Sequence, residues 1–206
     1  MSNETTLLIA TSNRGKLREV QAVLSCRSVR LKTLADFPGI PEPIEDGATF
    51  EDNARKKALH YASLTKTLTL ADDSGLEVDA LGGAPGIYSA RYAGDPGDDA
   101  ANNARLIAAL SGVPPKQRTA RFRCVVALAS PDKVLAVTSG AIEGLIVDDP
   151  CGHNGFGYDP HFFIPQSGMT AAQLPSEEKN RISHRGQALV AIRSVIEHLA
   201  ETAAKP

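Results

Sequence analysis

The sequence lacks the features of a secreted, membrane-spanning or disulfide-stapled protein. Its three cysteines, Cys26, Cys124 and Cys151, are far apart and form no C-x-x-C pair, which argues against a disulfide framework and a cysteine zinc site. No apolar run approaches the roughly 18 residues that a membrane span needs. Residues 1–6 show neither the basic nor the long apolar region of a secretory signal. A reducing, cytoplasmic location is therefore the simplest expectation.

The sequence also lacks an excess of charge of either sign. There are 22 Lys plus Arg against 24 Asp plus Glu in 206 residues, a net charge of −2. Proteins that coat nucleic acid are usually strongly basic, so an anionic ligand must be met here by a local cluster of cations. With 42% hydrophobic and 22% charged residues, the composition predicts one globular domain over residues 1–206, with two lobes as the limit.

Alternating strands and helices are predicted from the spacing of apolar residues in the first half of the chain. Strands are predicted at residues 6–10, 29–33 and 67–71, and helices from residue 15 and over residues 49–64. Thr49 and Asp52 fit a capping box, which makes Thr49 the N-cap of the second helix. The third strand is expected to end at residues 72–75.

The second half of the chain predicts further strands and two helices. The helices are expected at residues 101–110 and 187–203, with a strand at 120–129 and two more strands within 133–147. Glycine and proline concentrate at residues 37–47, 82–97 and 148–168, which are predicted to be loops. This succession favours an α/β fold with a mixed sheet, in which ligands bind at the carboxyl ends of strands.

A candidate phosphate-binding turn lies between the first strand and the first helix. Its residues are Thr11, Ser12, Asn13, Arg14, Gly15 and Lys16. Backbone N–H groups at the positive end of a helix, with Lys16 as a mobile cation, are suited to phosphate. The spacing of a Walker A loop is absent, because Leu17 follows the lysine where a hydroxyl should be. An ordinary turn with a solvated lysine is the alternative.

Two adjacent carboxylates, Asp72 and Asp73, follow the predicted strand at residues 67–71. Neighbouring side chains of a strand point to opposite sides. One carboxylate can therefore hold Mg²⁺ through oxygen while the other orients a helper group. Glu45 is a candidate further ligand. The alternative is an Asx turn, which the sequence Asp-Ser-Gly favours.

The glycine-rich segment at residues 152–160 contains Phe156, whose ring is suited to stacking on a base. Phe156 and Tyr158 could instead fill the core, and Asp159 before Pro160 could only begin a turn. The donors Lys179, Arg181, His184 and Arg185 lie within seven positions and could bind carbonyl or phosphate oxygens. The alternative is that these four side chains are ordinary polar residues of the surface.

The four segments together offer the parts needed to hold a nucleoside triphosphate with a metal ion. A triphosphate carries about four negative charges, most of which Lys16, Lys179 and Mg²⁺ would offset.

These motifs resemble those of the non-canonical purine nucleoside triphosphate pyrophosphatases, the Ham1-like family of inosine and xanthosine triphosphate pyrophosphatases. The resemblance covers almost the whole chain through residues 11–16, 72–75, 81–92, 156–160 and 178–186, with residues 183–186 as its most diagnostic element. Ser12 stands where many members carry glycine. The family fold it implies is an elongated mixed β-sheet split into two lobes around a central cleft, with helices packed on both sides, usually as a homodimer.

The resemblance implies an Mg²⁺-dependent hydrolase that cleaves ITP, dITP and XTP to the monophosphate and pyrophosphate, removing them from the nucleotide pool. Asp73 would be the catalytic carboxylate, with Asp72 as the competing candidate, and the metal ligands would be Asp73, Glu45 and Asp72. The implied substrate-binding residues are Thr11, Ser12, Asn13, Arg14, Gly15, Lys16, Ser74, Phe156, Gly157, Tyr158, Asp159, Lys179, His184 and Arg185.

Selectivity is expected at position 6 of the purine, where hypoxanthine and xanthine carry an oxygen and adenine an amino group. Donors from His184 or Arg185 would pair with that oxygen, and such sites can discriminate by roughly 10⁴-fold. Three alternative functions are a general nucleotide pyrophosphatase, a nucleotide-sensing module without turnover, and a nucleic-acid-binding protein. The pair of carboxylates disfavours the sensing module, and the charge balance disfavours nucleic-acid binding.

Overall fold

The computed structural model describes residues 5–24, 29–94 and 96–203, so Cys26 lies outside the described residues. Its strands are β1 Thr5–Ile9, β2 Val29–Thr33, β3 Leu68–Val78, β4 Thr119–Ala129, β5 Val134–Ile146, β6 Phe162–Ile164 and β7 Met169–Thr170. Its α-helices are α1 Arg14–Leu24, α2 Phe50–Thr65, α3 Asp99–Ala109, α4 Ser176–Ile182 and α5 His184–Ala203. None of these helices is long and apolar enough to cross a membrane.

The strands form one sheet in the order β2-β1-β3-β4-β5-β6-β7. β1 is parallel to both β2 and β3, with Ile9 opposite Thr33 and Leu70. β6 is antiparallel to both β5 and β7. The predicted α/β class with a mixed sheet is therefore confirmed.

The chain divides into two compact units, each with its own apolar core. Unit 1 contains Met1–Asp73, Cys124–Gly140 and Arg185–Pro206. Its core packs the inner faces of α1 and α5 on the sheet, and it includes Leu7, Ile9, Val20, Leu70, Val126, Leu189 and Ile192. The apolar face predicted for the last helix therefore points inward.

Unit 2 contains Ser74–Arg123 and Ala141–His184. Its core includes Leu76, Val78, Leu106, Phe122, Tyr158 and Phe162. Phe122 packs against Phe162 with ring centroids 4.5 Å apart. This core carries the outer half of β3 and the loop that follows β5.

Two strands are longer than the sequence predicts. β3 does not end at residue 72 but continues to Val78, because Leu76 and Val78 are fully buried in the core of unit 2. Asp72 and Asp73 lie inside this strand as extended residues, so the Asx turn does not form. β5 is one continuous strand, where two strands were predicted.

The helix starts agree in part with prediction. Thr49 caps α2: its Oγ1 accepts a hydrogen bond from the backbone N–H of Asp52, whose carboxylate accepts from the N–H of Thr49, each at 3.1 Å. α5 begins at His184 instead of residue 187, which places His184 and Arg185 on its first turn. The short helix α4 was not predicted, and the predicted loop at residues 148–168 contains β6.

Candidate active site

The turn between β1 and α1 in unit 1 is organised by the side chain of Asn13. Its Oδ1 accepts hydrogen bonds from the backbone N–H of Gly15 at 2.8 Å and of Lys16 at 3.0 Å. Thr11 Oγ1 in turn accepts from the backbone N–H of Asn13 at 3.2 Å. Asn13 therefore caps α1 and uses two of the amides that were expected to face a phosphate. The exposed side chains of this turn are those of Ser12, Asn13 and Arg14.

Asp72 is the centre of a buried charge cluster in unit 1. Its Oδ2 lies 3.1 Å from Lys16 Nζ and 3.2 Å from Arg185 Nε. The Cys124 thiol is 3.9 Å from the same oxygen. Arg185 also forms an ion pair with Glu19 of α1. The cluster thus ties α1, β3 and α5 together by charge.

The charges around Asp72 keep it ionised. Burial by itself raises the pKa of the Asp72 carboxyl. The positive charges of Lys16, Arg185 and Lys57 lower this pKa by more than burial raises it, so it lies well below its usual range. A carboxylate held so strongly in its charged form is a poor proton acceptor. Asp72 is therefore suited to orient Lys16 and Arg185, and not to act as a base.

Asp73 faces a different set of partners, also in unit 1. Its Oδ1 lies 3.1 Å from Lys57 Nζ, and Asn53 Nδ2 donates to its Oδ2 at 3.2 Å. Lys57 also contacts Glu45, at 3.3 Å from Oε2. Burial raises the pKa of Asp73, and the nearby Lys57 and Lys16 offset this only in part. Asp73 is thus the carboxylate in the pair whose pKa moves toward that of a base.

Lys57 and Asn53 are functional candidates that the sequence analysis missed. They lie four residues apart on one face of α2, and both are buried although they are polar. Two polar residues on the buried stripe of a helix are the signal that could have revealed them.

Two of the three metal ligands predicted from the sequence, Asp73 and Glu45, are placed where they could hold a metal ion together. Asp73 and Glu45 converge on the single cation of Lys57, and Mg²⁺ is commonly held by one or two carboxylates together with substrate phosphates. Asp72 pairs with Lys16 and Arg185, and its role as a metal ligand stays a prediction. Within the described ranges, no three His, Cys, Asp or Glu side chains are grouped closely enough to hold an ion by themselves.

Asp159 in unit 2 is more than a turn residue before a proline. It is buried, and its Oδ2 accepts from the backbone N–H of Phe156 at 2.8 Å and from Lys179 Nζ at 2.5 Å. Gly155 allows this arrangement, because a Cβ there would lie 2.0 Å from the same Oδ2. The ion pair of Asp159 and Lys179 thus fixes the start of the aromatic loop.

The two aromatic residues of this loop have different environments. Phe156 is partly exposed, and Lys179 Nζ lies 5.0 Å from its ring centroid. Tyr158 is buried in the core of unit 2, and its hydroxyl donates to the carbonyl oxygen of Ser89 at 2.8 Å. Tyr158 therefore anchors the loop, whereas Phe156 has surface left for a flat ligand.

His184 lies beside this loop at the end of unit 2. Its ring stacks on Phe122, with centroids 4.9 Å apart and planes inclined by 14°. Both rings line a small cavity of about 10 Å³, together with Asp159 and Lys179. A space of this size holds about one water molecule.

The residues of the donor cluster predicted at positions 179–185 have different partners. Lys179 pairs with Asp159 and His184 stacks on Phe122, both in unit 2. Arg185 belongs to unit 1, where it is only 2% exposed and is held by acidic partners. That Arg185 donates to a base stays a prediction. Arg181 is exposed on α4, and Ser74 is a partly buried residue of β3.

The chain is similar to known proteins over almost its whole length. A family model described as the Ham1 family matches residues 7–195. The dITP/XTP pyrophosphatase of Shouchella clausii is 52% identical over 191 residues, which cover 93% of this chain and 96% of that protein. The dITP/XTP pyrophosphatase of Geobacter sulfurreducens is 53% identical over 189 residues, covering 92% and 95% of the two chains.

Solved structures are also similar to this chain. A HAM1 protein from Coxiella burnetii has a TM-score of 0.85 at 41% identity, covering 94% of this chain and 99% of that one. A nucleoside-triphosphatase, dITP/XTP pyrophosphatase, from Mycobacterium abscessus has a TM-score of 0.74 at 46% identity, covering 91% and 98%.

Proposed function

Because this chain belongs to the Ham1 family, we propose that it hydrolyses the triphosphates ITP, dITP and XTP to the monophosphate and pyrophosphate. Such an activity removes unwanted purine nucleotides from the pool that supplies DNA and RNA synthesis. Curated relatives of about half identity carry the name dITP/XTP pyrophosphatase, which supports this substrate class.

The observation that carries the proposal is the buried carboxylate of Asp73, held by Lys57 at 3.1 Å and by Asn53 at 3.2 Å. A fixed carboxylate of raised pKa, next to a buried cation, can both accept a proton and stand beside an anion. A module that only binds a triphosphate would gain nothing from this carboxylate, which would repel the ligand.

The reaction divides between the two carboxylates. Water adds to the α-phosphorus, the bond from that phosphorus to the oxygen bridging to the β-phosphate breaks, and pyrophosphate leaves. Asp73 accepts a proton of the attacking water. Asp72 remains ionised and fixes Lys16, whose ammonium stands at the turn of residues 11–16 to meet phosphate oxygens.

Asp73 and Glu45 would hold Mg²⁺, which when bound supplies positive charge to the phosphate oxygens. In the structure, Lys57 contacts both of these carboxylates and so keeps them together. Its ammonium is also a further cation for the polyphosphate.

Base recognition rests on residues of unit 2. The partly exposed ring of Phe156 stacks on the purine. Lys179 and His184 supply donors for the oxygen at position 6, which adenine lacks. The amino group of adenine offers these donors no acceptor at this position, so ATP is a poor substrate.

Product analysis tests the proposed function. The protein is incubated with ITP and Mg²⁺, and the products are separated by anion-exchange chromatography. IMP and pyrophosphate are expected, with far slower release from ATP and almost none from the Asp73→Asn variant. IDP and phosphate would refute cleavage at the α-phosphorus. Equal rates on ATP and ITP would indicate a general nucleotide pyrophosphatase, and binding of ITP without any product a sensing module.

Assembly and location are proposed on the resemblance and on cysteine usage. A homodimer is expected, and light scattering coupled to gel filtration measures its mass against the 21.8 kDa of one chain. The cytoplasm is the expected location, because a reducing compartment suits cysteines that form no C-x-x-C pair.

A further inference from the structure

The first turns of α3 hold the aromatic loop of unit 2 at a single glycine. The backbone N–H of Gly157 donates to Asp99 Oδ2 at 2.8 Å, and the carbonyl oxygen of Gly157 accepts from Asn103 Nδ2 at 2.9 Å. Asp99 and Asn103 are four residues apart, so their side chains project from the same face of the helix. Both polar backbone groups of Gly157 are therefore fixed by one helix.

The residues on either side of Gly157 are fixed by other means. Phe156 is held through its backbone N–H by Asp159, and Tyr158 through its hydroxyl by Ser89. Gly157 itself has a φ of +62°, a conformation that side-chain-bearing residues rarely adopt. Glycine has the widest choice of backbone conformations, so this is the point where the loop has most freedom to lose.

We propose that Asp99 and Asn103 are positioning residues for base selectivity, which act by holding Gly157 so that the neighbouring ring of Phe156 is fixed against the purine. The proposal rests on the proposed function, in which Phe156 stacks on the base. Neither residue touches the substrate. Their contribution is to keep the loop in the one conformation that can bind a purine edge.

A loosened loop spends less time in the conformation that binds the base, and the apparent affinity falls by that fraction. ITP depends on an ordered base edge for its hydrogen bonds, whereas ATP makes fewer of them. The ratio of kcat/KM for ITP over ATP should therefore fall. The fall expected is about two- to tenfold, the worth of one net hydrogen bond.

Two isosteric variants are expected to differ in their effect on the selectivity ratio. Asp99→Asn keeps an oxygen that can accept from the N–H of Gly157, so the selectivity ratio should remain within about twofold of wild type. Asn103→Asp replaces the donor by a carboxylate oxygen that faces the carbonyl of Gly157, so the ratio should fall about tenfold, the upper end of the range above. The loss should appear in KM for ITP, with kcat at saturating ITP unchanged.

Asp98→Ala is the matched control. Asp98 caps α3 by accepting from the backbone N–H of Ala100 and Ala101 at 2.8 and 3.0 Å, and it has no hydrogen bond to Gly157 among the described residues. This variant should lower the melting temperature without changing the selectivity ratio.

The outcomes separate the two proposals. If wild type hydrolyses ITP in preference to ATP and Asn103→Asp keeps that preference, the positioning role is overturned while the proposed function stands. A loss shared equally by ITP and ATP, and reproduced by Asp98→Ala, overturns it as well, because helix stability would then explain the effect. If wild type releases no pyrophosphate from ITP, the proposed function fails and this proposal fails with it.

Discussion

Arg185 Nε lies 3.2 Å from Asp72 Oδ2, and each of these two side chains is only 2% exposed. The two residues are separated by 113 positions in the chain, so the contact joins the first turn of α5 to β3. Glu19 binds the other side of the guanidinium. Arg185, which the sequence predicts to be a ligand donor, thus lies next to Asp72 of the candidate catalytic pair.

Removing Arg185 should lower both the stability of the fold and the activity of the site. Arg185→Ala removes one of the two cations that contact Asp72 Oδ2 and the cation that pairs with Glu19, and breaking such a buried pair costs about 3–5 kcal/mol of unfolding free energy. Because the effect passes through Asp72 and Lys16, kcat/KM should fall by the same factor for ITP and ATP. Urea denaturation and a two-substrate assay measure the two effects.

Arg185→Lys is the milder companion variant if the alanine variant does not fold. It keeps the charge but loses the planar guanidinium, so it should lose less stability than the alanine variant. A loss confined to ITP in either variant would instead assign Arg185 to base recognition.

The stability of the fold should depend on pH through Asp72. At neutral pH, Asp72→Asn should be less stable than wild type by about 3–5 kcal/mol, because Arg185 and Lys16 lose a buried anion. The folded pKa of Asp72 is lowered from 3.8, so the advantage of wild type is present in full above that value. It is lost as the pH falls through the folded pKa, at about 1.4 kcal/mol per pH unit.

Denaturation curves of both proteins between about pH 3 and pH 7 check this dependence. The difference in unfolding free energy between the two proteins should be constant in the upper part of this pH range and should become smaller in the lower part. A difference that does not change with pH, or a variant as stable as wild type at neutral pH, would contradict the pairing.

The sequence predicts the local features of this site well. The capping box of Thr49 and Asp52, and the opposite directions of Asp72 and Asp73, follow from rules that need only neighbouring residues. The turn chemistry of residues 72–75 misled the prediction, because burial of Leu76 outweighs the local preference for an Asx turn.

The partners of each carboxylate were beyond sequence analysis. Lys57 lies 16 positions from Asp73, and Arg185 lies 113 positions from Asp72. No periodicity links such distant residues, and only the parallel pairing of the strands and the packing of α2 and α5 bring them together. The sequence offered Asp72 and Asp73 as candidates, but it could not assign a cation to each one.

Asp73→Asn should retain the fold and lose turnover. Burial already disfavours the charged carboxyl, so a neutral amide of the same shape should leave the melting temperature close to that of wild type. Loss of the proton acceptor should lower kcat by about 10²- to 10⁴-fold. Pyrophosphate release from ITP measures the rate, and Asp79→Asn, an exposed acid that binds Arg121, is the matched control. Near-normal turnover would remove Asp73 from the mechanism.

Lys57 should set the pH at which Asp73 becomes active as a base. The ammonium of Lys57 lowers the pKa of Asp73 against the effect of burial, so Lys57→Met should let that pKa rise further. Asp73 must be ionised to accept a proton, so the acid limb of kcat/KM against pH should move to higher pH in the variant. Lys57→Arg keeps the positive charge beside Asp73 and should leave the limb near its wild-type position. A limb that stays in place in Lys57→Met, with only the rate reduced, would show that Lys57 serves the polyphosphate and not the carboxylate.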